Sequence, residues 1–122
     1  MQNTLRAIRG ATTVEGDESS LILRATKELL EEIFERNGVN KDDLVCIFFS
    51  ATPDITAAFP AAGAHELSLG DVPLFGSVEL NVSGALSRCI RVMVQCYSEK
   101  PRTEIRHVYT KGAVVLRTDL AD

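Results

Sequence analysis

Only one long stretch of this 122-residue chain, residues 17–37, places apolar residues at helical spacing, whereas about five other runs are apolar and strand-like. That imbalance constrains the fold more than any motif does. A single helix covers one face of a five-stranded sheet, and the apolar runs are too continuous for the other face to stay wet. The expectation is an α+β domain spanning residues 1–122, with a mixed β-sheet of about five strands, one long helix and a short helix. The uncovered face is expected to pack on another subunit, with a ligand pocket at or near that interface.

Residues 5–14 read as a first strand. Asp17 is placed to cap the helix, Leu21, Ile22, Ala25, Leu29, Leu30, Ile33 and Phe34 form its apolar stripe, and Asn37-Gly38 is a stop signal. Leu44–Phe49 suits a buried strand that Thr52-Pro53-Asp54 terminates. Residues 57–67 fit a short helix or 3₁₀ turn with Pro60 near its start. Val72–Leu80 reads as a third strand that Gly76 bends, and residues 88–97 as a fourth because Ile, Val and Tyr dominate. Residues 105–110 and 113–117 complete the set, divided by a hairpin or bulge at Lys111-Gly112.

Thirteen basic against seventeen acidic residues give a net charge of -4 with no basic cluster, which argues against nucleic acid or an anionic membrane as partner. No apolar stretch has the length of a membrane span, and the N-terminus lacks a signal peptide's basic start and apolar centre. The three cysteines, Cys46, Cys89 and Cys96, show no Cys-x-x-Cys spacing and read as buried reduced thiols. A cytoplasmic location follows as the expectation.

Four arginines interrupt strand-like runs: Arg9, Arg91, Arg106 and Arg117. A guanidinium cannot shed its charge, so converging arginines suggest a pocket for a carboxylate- or phosphate-bearing ligand. Arg106, like Arg88, fits the alternating exposed positions of a half-wet strand. Arg91 shares a strand face with Cys89 and Met93, while Ile90, Val92 and Val94 take the other, so neither face is expected to offer water freely. Glu79 fits a solvent-facing edge position as well as a pocket carboxylate, and Tyr109 fits a core aromatic with its hydroxyl at the surface. No serine has a Gly-x-Ser-x-Gly context, His65 and His107 have no partner at ligand spacing, and no phosphate-binding glycine loop is present. Nothing in the chain indicates a metal or a cofactor.

The segments Ile8-Arg9-Gly10-Ala11-Thr12-Thr13-Val14-Glu15, Ser50-Ala51-Thr52-Pro53-Asp54, Ala58-Phe59-Pro60-Ala61, Cys89-Ile90-Arg91-Val92-Met93 and Ile105-Arg106-His107-Val108-Tyr109 closely resemble the monofunctional AroH-class chorismate mutases. So does Val114-Val115-Leu116-Arg117-Thr118-Asp119-Leu120, and the matches run in order over essentially the whole chain. The resemblance implies a homotrimer shaped as a pseudo-α/β barrel, a form akin to the RidA-like fold, with active sites between subunits. It also implies cofactor-free conversion of chorismate to prephenate, a step toward phenylalanine and tyrosine.

That reaction is a pericyclic Claisen rearrangement, which needs no nucleophile, metal or obligatory proton transfer. The protein must hold a flexible dianion in a chair-like shape and stabilise separating charge. By resemblance, Arg91 would donate to the ether oxygen, Arg9 and Tyr109 would bind the side-chain carboxylate, and Glu79 would accept from the ring hydroxyl. Phe59, Ala61, Leu74, Phe75 and Leu116 would shape the pocket wall, with Arg117 near its mouth. Ala62, His65 and Gly76 stand where relatives commonly have lysine, arginine and, in some, cysteine, and the first two changes imply weaker substrate affinity. Two other functions stay open at the level of residues: a RidA-like imine hydrolase, and a non-catalytic trimer that binds a small carboxylate.

Overall fold

The computed structural model describes residues 3–116. Strands β1 (Thr4–Thr13), β2 (Leu44–Ala51), β3 (Leu74–Val78), β4 (Cys89–Ser98) and β5 (Val108–Tyr109) form one sheet in the order β3-β2-β4-β1-β5. The central pairs β1–β4 and β4–β2 are antiparallel, and the outer pairs β2–β3 and β1–β5 are parallel. The sheet is therefore mixed: the helix α1 (Ser19–Asn37) carries the chain from β1 past the position of β4 to β2, and the crossover between the parallel β2 and β3 carries a 3₁₀ segment.

Alternation along each strand sorts the side chains onto two faces. Ile8, Ile47, Phe49, Val92 and Val94 face α1 and form the main core with Leu29, Leu30 and Ile33. The 3₁₀ segment Pro60–Leu67 closes that core with Ala64 and Leu67. Two glycines permit the close packing. A Cβ on Gly10 would lie 2.6 Å from Ile33 Cδ1, and one on Gly63 would lie 2.6 Å from the Leu23 carbonyl oxygen and 2.8 Å from Thr26 Cβ.

The helix ends where the sequence places its stop: Gly38 adopts φ 60°, and Val39 N–H donates to Phe34 O at 2.9 Å. Its start differs from expectation. Glu18 occupies the N-cap position without a side-chain bond, and Asp17 turns away from the helix to accept from Thr56 N–H (2.9 Å), Ala57 N–H (3.0 Å) and the Thr56 hydroxyl. Three donors converging from one loop outcompete a single helical N–H, so Asp17 anchors the 55–58 loop instead. Asn37 ties the other end: its buried amide accepts from Arg106 N–H and donates to Arg106 O, at 2.7 and 2.9 Å.

The third strand is shorter than expected, Leu74–Val78, and the end of the chain departs further. Only Val108–Tyr109 pairs as a strand, and Lys111–Leu116 is a 3₁₀ turn where a hairpin or bulge and a last strand were expected. Lys111 takes φ 53°, and Gly112 N–H donates to Thr13 Oγ1 at 3.0 Å, which folds the segment over the end of β1. Arg117 lies outside the described residues. Among the described residues no helix is long and apolar enough to cross a membrane.

Gly63→Ala should destabilise the fold by about 1–3 kcal/mol, because the clash is with backbone and a branched Cβ rather than a flexible tip. A denaturant midpoint equal to wild type would contradict the close approach. Hydrogen bonds to its ionised form hold the Asp17 carboxyl below its ordinary 3.8. Its folded pKa is thus depressed, so it stabilises the fold above its unfolded pKa and loses that contribution as pH falls through the folded value. Asp17→Asn should therefore melt below wild type at neutral pH, with the gap closing only in acid below pH 4. A gap independent of pH would contradict the anchor.

Candidate active site

The site lies on the sheet face opposite α1, and strand register builds it. Ser77 pairs with Ser50, Ser50 with Arg91, Arg91 with Ala11, and Ala11 with Tyr109, a single row across all five strands. The adjacent row runs Phe75, Phe48, Met93, Arg9. Directly opposed residues on one face stand about 4.5–5.5 Å apart at Cβ, so the two rows bring separate strands to one surface. The small Ala11 leaves room between Arg91 and Tyr109.

Arg9, Ser50, Glu79, Arg91 and Tyr109 line a cavity of about 310 Å³, with Phe48 and Met93 on its wall. Phe59, Ala61 and Gly76 line a second cavity of about 340 Å³, which shares Phe49, Ser50 and Ser77 with the first. The catalytic candidates thus converge, and two of the proposed wall residues stand next door. Leu116 packs at the Tyr109 end of the site, against the cluster of Ala11, Cys89, Tyr109 and Ala113. Phe75 sits in the adjacent row as the edge-on partner of Phe48, their ring centres 6.2 Å apart. Leu74 stands apart, since it pairs with Ile47 on the helix side and packs on the main core.

Expected to lack water on both faces, Arg91 instead has 48% of its side chain exposed, because among the described residues the Lys111–Leu116 turn and Leu86 cover only the Cys89–Tyr109 end of its face of the sheet. Its Nε lies 3.5 Å from Glu79 Oε2, and the same oxygen accepts from the Ser50 hydroxyl. An ion pair this exposed contributes about 0–1 kcal/mol to folding. Stability alone gives little reason for the arrangement. Two arginines against one carboxylate leave the cavity with an excess positive charge suited to an anion. By contrast, Arg88 gives its Nε to Val14 O at 3.1 Å, and Arg106 lies exposed just before β5 with its backbone clasped by Asn37.

The geometry also narrows the chemistry. Burial pushes the Cys89 thiol up, opposed by the nearby Arg91 guanidinium, so it is a buried, protonated thiol and a poor nucleophile. Cys96 is likewise raised by burial, and all three cysteines are free, with Cys46 less buried than expected. His107 Nδ1 accepts from Arg9 N–H at 2.9 Å, which commits that nitrogen to the backbone, and His65 lies exposed on the 3₁₀ segment. Among the described residues no cluster of three or more His, Cys, Asp or Glu could hold a metal. Sequence reading missed Ser50, Ser77, Phe48 and Met93. Serines were weighed only as nucleophiles, and register, which puts Ser50 beside Arg91, was the signal that could have found it.

The family model described as "Chorismate mutase type I" matches residues 5–120. The chain is 48% identical over 118 residues to the chorismate mutase AroH of Bacillus subtilis (strain 168), covering 96% of this chain and 93% of that protein. It is 43% identical to the chorismate mutase AroH of Thermus thermophilus, covering 95% and 96%. The solved chorismate mutase from Clostridium thermocellum superimposes with a TM-score of 0.88 at 42% identity, over 90% of this chain and 98% of that one. Neither the imine-hydrolase nor the binding-only reading finds support in these matches. With its sheet, its arginine-lined cavity and the full-length likeness in agreement, the chain belongs to the type I chorismate mutase family.

Proposed function

We infer that this chorismate mutase isomerises chorismate to prephenate by conformational restraint and electrostatic stabilisation, with Arg91, Arg9, Glu79 and Tyr109 as its principal groups. The observation that carries the reading is the placement of Arg91 between the Glu79 carboxylate and the Arg9–Tyr109 end of one cavity.

In the rearrangement one C–O bond of the enolpyruvyl ether breaks while one C–C bond forms, and no atom is gained or lost. Negative charge builds on the ether oxygen and positive charge on the ring. Arg91 donates to that oxygen, where a fixed charge-assisted donor is worth most. Arg9 and Tyr109 hold the side-chain carboxylate, which fixes the chair-like approach of the two carbons. Glu79 accepts from the ring hydroxyl and offsets charge developing on the ring. Phe59, Ala61, Leu116 and Phe75 shape the walls. A rate enhancement of about 10⁶ corresponds to roughly 8 kcal/mol, more than one charge-assisted hydrogen bond supplies, so several of these contacts share it.

The protein acts as a cytoplasmic homotrimer with sites between subunits. Support comes from the open sheet face, where Leu5, Phe48, Phe75 and Tyr97 are 42–63% exposed. Apolar exposure on that scale marks an interface. Light scattering should give three times the 13.3 kDa chain mass, and a monomer mass would overturn the assembly.

Purified protein mixed with chorismate, without metal or cofactor, should accelerate the loss of its ultraviolet absorbance. No acceleration over buffer would sink the proposal. Arg91→Ala should lower kcat by about 10²–10³-fold or more, the loss typical of one transition-state donor. Arg91→Lys should remain far below wild type, because an ammonium lacks the planar fork of the guanidinium. Near-full activity of that variant would exclude a directed donor role.

A further inference from the structure

The geometry points to Ser50 as a positioning residue that sets the Glu79 carboxylate and keeps the Arg91 guanidinium available to substrate; this rests on the mutase mechanism proposed above. Ser50 stands in register between Ser77 on β3 and Arg91 on β4, in the row that crosses the site. Its hydroxyl donates to Glu79 Oε2, the same oxygen that Arg91 Nε approaches at 3.5 Å. Both protein donors therefore converge on one carboxylate oxygen, which leaves Oε1 to accept from a ligand hydroxyl.

The hydroxyl has a second effect. A carboxylate beside a guanidinium tends to form two parallel N–H···O bonds. Here the pair meets at one oxygen through Nε, and at 3.5 Å it is looser than a charge-assisted hydrogen bond. Ser50 supplies part of what Glu79 would otherwise take from Arg91, so less of the guanidinium is tied to the carboxylate and more of it is left for the ether oxygen. Ser77 cannot substitute, because its hydroxyl donates to Phe49 O at 3.2 Å. Glu79 itself lies just past the end of β3, held by its own N–H on Ala51 O at 2.9 Å, so its side chain needs a local partner to be fixed.

The test compares Ser50→Thr with Ser50→Val, two β-branched side chains of one shape that differ in the hydroxyl. Chorismate turnover and thermal unfolding are followed for both, and for Ser50→Val combined with Glu79→Ala. Ser50→Val should lower kcat about 10- to 100-fold, the rate equivalent of one hydrogen bond to a charged group. KM should change less than kcat, and Ser50→Thr should keep at least several-fold more activity than Ser50→Val. In the Glu79→Ala background Ser50→Val should cost less than twofold more, since the group it positions is gone. If wild type is active and Glu79→Ala impaired, but Ser50→Val matches Ser50→Thr or the two losses multiply, the assignment of Ser50 is wrong. If wild type itself leaves chorismate unchanged, the functional reading fails first. Should Ser50→Val fail to fold, Ser50→Ala with Ser50→Thr makes the same comparison and is judged by the same outcomes.

Discussion

Everything in this protein follows from the two-residue alternation of β-strands in a sheet with one face packed under α1 and the other, among the described residues, left largely open. On β4, Ile90, Val92 and Val94 are locked under α1, which forces Cys89, Arg91 and Met93 to the opposite face. Burial of the first set is a strong constraint, because a slip of one residue would exchange the faces of the whole strand. The core that stabilises the fold thereby also aims the guanidinium. Site and stability are separate in composition yet inseparable in register.

The open face then acquires its chemistry from contributions that are individually weak. The Arg91–Glu79 pair is too exposed to stabilise folding by much, and Ser50, Tyr109 and Arg9 come from three further strands. Water screens such groups in an open cavity, and exclusion of water strengthens each of them. A second layer over this face would raise the worth of the same charges without moving them. That reasoning connects the exposed apolar side chains of the face to the electrostatics of its centre.

Much of this was legible in the sequence, for physical reasons that differ by element. The helical stripe from Leu21 to Phe34, the Gly38 stop and the apolar strands survive because burial of their side chains dominates local alternatives. The cap at Asp17 misled because a capping carboxylate and a loop-anchoring carboxylate look identical until the Thr56-Ala57 loop is placed in space. The last segment misled because Val114 and Val115 favour strands, whereas only Ala113 buries, against the site-side cluster. Arg9, Glu79, Arg91 and Tyr109 were nameable through the family likeness. Ser50 was not, because its importance lies in which residue it faces across the sheet.

Complementarity to the transition state, rather than to chorismate, is what separates a mutase of this design from a pocket that merely holds a dicarboxylate. The most direct measurement is the affinity of a bicyclic ether dicarboxylate that mimics the chair-like transition state, compared with that of chorismate on the same protein. Arginines placed for the developing charge require the mimic to bind at least about a hundredfold more tightly. Equal affinity for the two would show that the cavity recognises carboxylates alone, and would contradict electrostatic catalysis by Arg91.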